Sequence, residues 1–177
     1  MDLESFVERF AVERRGTNCL KWDALQERFG DPDLFPMWVA DMEFSSPPQI
    51  LQALRERVDH GAFGYGIPDD SYFEAFDAWA VRHHEARVER DWVRFATGVV
   101  NGFHWMVNAF TEPGDAVLLA TPVYYPMHAA VRNSGRKLVT TQLVCDESGV
   151  YRYDLDDMEK VIAENDVKLF IACSPHN

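Results

Sequence analysis

The stretch AVLLATPVYYPMHAAVRNSGRKLVTTQLV, Ala116 to Val144, decides the fold. It opens on AVLLATP, an apolar run without alternation. PMHAAVRNSG follows, a short helical segment closed by Gly135. KLVTTQLV then returns to a β-branched run. A strand that is apolar at every position is covered on both faces, and a strand, helix, strand order favours parallel pairing.

The same rhythm continues on both sides. DLDDMEKVIAEN predicts a helix, and VKLFIACSP a strand. Asp154, Asp156 and Asp157 start that helix and favour its dipole. Upstream, WVRFATG predicts a short strand. NGFHWMVNAFTEPG predicts a helix with Phe103, Val107 and Phe110 on one stripe. The fold class is α/β, with a mostly parallel sheet covered by helices on both faces. Further upstream, SSPPQILQALRERVDHG predicts a helix with Ser46 as N-cap, prolines in its first turn and Gly61 at its end. Ile50, Leu54 and Val58 give it one buried face. DDSYFEAFDAWAVRHH predicts another, capped by Asp70, with Tyr72, Phe76, Trp79 and Ala80 on one side.

Composition narrows the function. The chain has 177 residues, 47% hydrophobic and 26% charged, as expected of a globular protein. Its net charge of −12 argues against nucleic acid or an anionic membrane as partner. No apolar run has the roughly 20 residues of a membrane span. The charged N-terminus MDLESFVERFAVERR lacks the apolar core of a signal peptide. Cys19, Cys145 and Cys173 are odd in number and far apart, which fits neither a disulfide framework nor a zinc site. A cytoplasmic location is expected. His83 and His84 are neighbours that cannot face one metal from one helix side, and His60, His104 and His128 are scattered; no metal site is expected.

Ligands of such sheets sit at the carboxyl ends of the strands. Three loops qualify. ATGVVNG, Ala96 to Gly102, passes through Gly98 into a helix. The N–H groups of Val99 and Val100 suit a phosphate, or the stretch is an ordinary glycine turn. It has neither P-loop nor dinucleotide spacing. TPVYYPMHAA places two tyrosines where the sheet opens; they lie flat on a planar ring or pack as core. IACSPHN delivers Asn177 to a turn, as a ligand amide or as a turn residue.

Taken together, KWD (Lys21 to Asp23), PMWVADMEF, FGYG, TGVVNGF, TPVYYPM, GVYRYDLDDME and CSPHN resemble the MalY/PatB-type cystathionine β-lyases. These are C–S β-lyases that depend on pyridoxal 5′-phosphate (PLP) and belong to the fold-type I aminotransferase superfamily. The resemblance runs from about Gly16 to Asn177. It implies the N-terminal part of the large PLP-binding domain over residues 46–177, preceded by an N-terminal segment, residues 1–45, belonging to the small domain and active-site arm. It implies that Gly98, Val99 and Val100 hold the PLP phosphate, that Tyr124 stacks on the pyridine ring, and that Asn177 hydrogen-bonds the ring 3-oxygen. Tyr65 would reach the neighbour's phosphate across a homodimer interface. Ala40 would offer backbone near the substrate carboxylate.

The resemblance also implies residues beyond Asn177: an Asp for the pyridine nitrogen, the Schiff-base Lys, and an Arg for the substrate carboxylate. None of Lys21, Lys137, Lys160 and Lys168 matches the Schiff-base position, so no catalytic residue is assigned within this chain. The chain reads as cut inside a motif, and on its own is expected to be inactive and molten or poorly soluble. The implied activity of the intact enzyme is cleavage of L-cystathionine or related cysteine S-conjugates to thiol, pyruvate and ammonia. An aminotransferase on the same fold is the first alternative; a non-catalytic binding or regulatory fragment is the second.

Overall fold

A computed structural model describes residues 2–177, which divide into two compact units, one ending at Pro68 and the other running Asp69–Asn177. The segment 46–68, with its helix, therefore groups with the residues that precede it.

The first unit holds α1 (Leu3–Phe10), α2 (Leu20–Asp23), α3 (Leu25–Phe29) and α4 (Pro48–His60). Asp2 caps α1 by accepting from the Ser5 N–H at 2.8 Å. The residues after α1 meet the segment before α4 in one antiparallel bridge, Ala11 to Phe44. Val12 N–H donates to the Glu43 carbonyl at 2.9 Å, and Ser45 N–H to the Phe10 carbonyl at 2.8 Å. Phe6 packs on both Phe10 and Phe44, with ring centroids 5.0 Å apart in each pair.

Two expectations for α4 are corrected. Its N-cap is Pro47, not Ser46. The residue before a proline is pushed out of the helical region, so Pro48 holds Pro47 extended (ψ 140°) and the helix starts one residue later than a Ser46 cap allows. Gly61 does end it, in the left-handed region at φ 71°. The stripe Ile50, Leu54 and Val58 is not buried: these side chains are 52%, 59% and 64% exposed. Among the described residues no other helix packs extensively on α4, so the stripe has nothing to cover it.

The second unit begins with α5 (Asp70–His84) and a 3-10 turn (Arg90–Trp92). Asp69, not Asp70, caps α5. Its carboxylate accepts from the Tyr72 N–H at 3.0 Å, which is the third helical amide, and from the Ser71 hydroxyl at 2.7 Å. Asp70 is displaced into the first turn, where it pairs with Arg90 at 2.5 Å. On the expected apolar side Ala80 is buried and Phe76 half-buried, while Tyr72 and Trp79 remain exposed.

The sheet follows: α6 (Val99–Phe110), β1 (Ala116–Thr121), α7 (Tyr125–Asn133), β2 (Lys137–Cys145), β3 (Tyr151–Tyr153), α8 (Leu155–Asn165) and β4 (Val167–Ile171). Strand order is β3-β2-β1-β4. β1 pairs in parallel with β2 and β4, and β3 is antiparallel to β2. The parallel part was expected; β3 was not. Asp146 builds the turn before it. Its carboxylate accepts from the amides of Ser148 and Val150 at 2.9 and 3.0 Å, which folds Tyr151–Tyr153 back onto β2. The expected strand at WVRFATG is absent. Residues 93–96 have no regular structure and among the described residues find no partner strand, and a segment without a ladder is not a strand.

β1 is buried from Ala116 to Ala120. Ala116 and Leu118 join Val139 and Met158 in a core against α8, completed by Val161, Val167 and Phe170. Alternation turns Val117 and Leu119 to the opposite face, where α7 covers β1 and β2. Both faces of the strand are thus used, as its unbroken apolar sequence requires. On the expected α6 stripe Val107 is fully buried, Phe103 half-buried and Phe110 exposed. No helix among the described residues is long and apolar enough to cross a membrane.

Candidate functional site

The site is built at the carboxyl ends of β1 and β4, adjacent parallel strands. The turn after β1 runs Thr121–Tyr124, and that after β4 runs Ala172–Asn177. They are joined twice. The Tyr124 N–H donates to the Asn177 carbonyl at 2.6 Å. His176 Nε2 lies 2.7 Å from the Pro122 carbonyl; a carbonyl only accepts, so this nitrogen carries the proton. Tyr124 stands at the N-terminus of α7, half-buried, with its ring 5.5 Å from that of Tyr125. Thr121 anchors the first turn to the sheet. Its hydroxyl donates to the Thr141 carbonyl at 3.1 Å and accepts from the Gln142 amide at 3.0 Å.

The third loop is Gly98 at the start of α6. Gly98 has φ 123° and ψ 154°, a conformation that L side chains rarely adopt, and a Cβ there would meet open space. No side chain caps the helix, so the first-turn amides of Val99 and Val100 are not taken by a capping oxygen. Asn101, which could compete, is held by Thr97, whose hydroxyl accepts from its amide at 2.8 Å. Val99 is exposed and Val100 half-buried.

Two residues tie α6 to α7, and sequence reasoning did not single them out. Arg136 sits past the end of α7 and reaches α6: its Nε donates to the Thr111 hydroxyl at 2.9 Å and a terminal nitrogen to the Asn108 side-chain carbonyl at 3.0 Å. It also donates to the Thr111 and Ser134 backbone carbonyls at 2.5 Å each. Asn108 donates to the Ser134 hydroxyl at 3.3 Å. These ties join the C-terminal ends of α6 and α7, where a cation also meets the negative ends of both dipoles. From Asn108 back to Val99, and from Ser134 back to Tyr125, the helices rise by the same amount, roughly 14 Å. Their N-termini therefore lie at the ends away from these ties. The signal in the sequence was Arg136 beside the closing Gly135, a cation in the place where helix ends need one.

Gly98, Val99 and Val100 thus lie at the N-terminus of α6, and Tyr124 and Asn177 in the two joined turns after β1 and β4. Tyr65 and Ala40 lie in the first unit, both exposed and in irregular segments. The lysines are occupied away from the loops. Lys137 begins β2 and binds Asn165 at 2.9 Å, Lys168 lies at the start of β4 on Asp166 at 2.8 Å, and Lys160 is on α8. Lys21 is buried in the first unit on Glu43. Among the described residues no cluster of His, Cys, Asp and Glu could hold a metal. A cavity of ≈ 350 Å³ opens on the other side of the Ala172–His176 turn, against Leu143 and Tyr151–Tyr153 of the hairpin, and includes neither Tyr124 nor Gly98.

Comparison with known proteins places this arrangement. The family model of aminotransferase class I and II matches residues 34–177. Cystathionine beta-lyase PatB of Bacillus subtilis is 43% identical over 93% of this chain and 42% of its own length. Protein MalY of Escherichia coli is 30% identical over 94% and 43%. Cystalysin from Treponema denticola, solved with a pyridoxal 5′-phosphate cofactor, superposes with a TM-score of 0.83 at 33% identity, over 94% of this chain and 43% of its own. The PLP-bound C-S lyase from Staphylococcus hominis does so with 0.83 at 30% identity, over 94% and 42%. The chain therefore spans about two-fifths of the length of these relatives, 42% of PatB. Its fold is the N-terminal part of the fold-type I PLP enzymes, and the chain belongs to the aminotransferase class I and II family.

Proposed function

We propose that this chain supplies the cofactor cup of a PLP-dependent C–S β-lyase acting on L-cystathionine or related cysteine S-conjugates, with thiol, pyruvate and ammonia as products. The observation that carries the reading is the Tyr124 to Asn177 hydrogen bond, which joins the turns at the carboxyl ends of β1 and β4; the uncapped N-terminus of α6 supports it. The similarity to PatB and to the PLP-bound lyase supports it.

The residues present fit the cofactor. The Val99 and Val100 amides are free donors on the positive end of a helix dipole, suited to a phosphate dianion. Gly98 permits the turn that aims them. The Tyr124 ring offers an aromatic face, and the Asn177 amide a donor for the ring 3-oxygen. Bound PLP withdraws electrons from the substrate Cα, which makes its proton acidic and lets the thiol leave from Cβ. The backbone at Ala40 meets the substrate carboxylate, and Tyr65 reaches the phosphate in the partner of a homodimer. The proton at Cα needs an amine at the cup. Lys137 and Lys168 lie at the opposite ends of their strands, so the base comes from residues outside this chain. A cytoplasmic location fits this chemistry.

The test is incubation of the intact enzyme with L-cystathionine in the absence of any 2-oxo acid. Steady pyruvate production is expected. Pyridoxal-dependent turnover only when a 2-oxo acid is added would contradict the lyase reading and favour transamination.

A further inference from the structure

Lys21 is 8% exposed. A buried ammonium is costly unless it is paired and hydrogen-bonded, and Lys21 is both. Its Nζ donates to the Asp41 carbonyl at 2.9 Å and lies 2.9 and 3.1 Å from the two Glu43 carboxylate oxygens. The neighbouring Trp22 indole donates to Glu43 at 2.9 Å. The backbone carbonyl of Lys21 accepts from the Trp38 indole at 3.1 Å. Arg14 closes the outer side, on the Asp41 carboxylate at 2.6 Å and the Met42 carbonyl at 3.1 Å. Asp23, third residue of the same motif, locks the loop before α2 by accepting from the Gly16 and Cys19 amides at 2.8 and 2.9 Å.

The KWD motif is therefore a clamp. It grips the segment Trp38–Glu43 on both sides of Ala40. Ala40 itself is exposed, and among the described residues its backbone N–H and carbonyl make no hydrogen bond. A short exposed backbone segment would ordinarily be mobile; here its flanks are tied to a buried cation. We infer that Lys21 is a positioning residue, which through Glu43 and Asp41 holds the Ala40 backbone ready for the carboxylate of the amino-acid substrate. This rests on the reading of Ala40 as substrate-facing. The ammonium itself is buried among its partners and takes no part in proton transfer.

The experiment compares Lys21→Met with the wild type in the intact PLP-loaded enzyme. The apparent KM for L-cystathionine is expected to rise about tenfold, the usual consequence of losing one charge-assisted hydrogen bond, with kcat within about twofold. The cofactor absorbance band should not change. Hydrogen exchange at residues 38–43 should accelerate about tenfold, with α5 to α8 unaffected. A variant with unchanged KM and unchanged exchange at 38–43, losing only thermal stability, would overturn the inference. If Lys21→Met does not fold, Glu43→Gln and Trp22→Phe decide it by the same two readouts: about threefold rises support it, and none overturns it. Absence of a PLP band in the wild type would sink the proposed function. The exchange data would still judge the clamp.

Discussion

Tyr124 donates its backbone N–H to the carbonyl of Asn177 at 2.6 Å, so the loop after β1 and the loop after β4 are one structural piece. An aromatic ring and a side-chain amide are thereby carried on two joined turns.

The Tyr124 ring is half-buried. In the intact enzyme Tyr124→Ala should weaken PLP binding about tenfold, combining lost apolar area with a ring–ring contact of about 0.5–1.5 kcal/mol. Tyr124→Phe keeps the ring and should stay within about threefold. Titration of the apoenzyme with PLP, followed by absorbance, reads both.

Gly98 adopts φ 123°. Gly98→Ala has room for its methyl but not the backbone, and should cost about 1–3 kcal/mol. The loss should appear as weaker affinity for PLP and for inorganic phosphate alike, since the turn aims the Val99 and Val100 amides. Equal phosphate affinity in the variant would show that the turn does not bind it.

Arg136 bridges α6 and α7. Arg136→Met keeps the stem but strands the acceptors at Thr111, a buried residue. A destabilisation of about 2 kcal/mol is expected from chemical denaturation of the intact enzyme. Weaker PLP binding should accompany it, because the register of the two helix N-termini depends on these ties.

The sheet core was legible because β1 is apolar at every position, and only a strand covered on both faces tolerates that. The helices of the second unit were legible from the spacing of their apolar residues. What the sequence concealed was pairing. Residues 93–97 have strand composition, but strands exist by their partners, and none among the described residues pairs with them. The Ile50, Leu54 and Val58 stripe announced a buried face, yet burial depends on what lies opposite. Neighbouring candidates also misled: Asp69 and Asp70 are equal as cap formers, and only the helix start separates them. The rule that chemistry collects at strand carboxyl ends picked out the turns after β1 and β4, but among the described residues the Gly98 loop follows no strand. KWD stands out in the sequence, but the partners of Lys21, Asp41 and Glu43, lie about twenty residues away and no local pattern announces them.

Acid should destabilise the chain. Asp69, held by the Ser71 hydroxyl and the Tyr72 amide, and Asp146, held by Ser148 and Val150, titrate below the ordinary aspartate value of 3.8. Asp23, held by the Gly16 amide, does likewise, and Glu43, held by Lys21 and then Trp22, titrates below 4.5. A carboxyl with a depressed folded pKa stabilises fully above its unfolded pKa, and that contribution is lost as pH falls through the folded value. Stability should thus be flat from neutral pH to about 5 with respect to these groups, and decline below about 4.5. Circular dichroism during acid titration checks this; a loss centred near pH 6 would implicate histidines instead.

The chain exposes 13740 Å². Two separate globules of the sizes of its units would expose about 10,500 Å². The excess includes Phe35, Met37, the α4 stripe and Trp92. Residues 1–177 expressed alone should bind a hydrophobic dye strongly and melt without a sharp transition. The intact enzyme should do neither.

The central claim is that the Gly98 turn, Tyr124 and Asn177 hold one cofactor. A crystal structure of the intact enzyme grown with PLP tests it most directly. The account predicts the phosphate within hydrogen-bonding distance of the Val99 and Val100 amides, the ring against Tyr124, and the Asn177 amide on its 3-oxygen. A phosphate bound elsewhere, or a ring that meets neither Tyr124 nor Asn177, would contradict it.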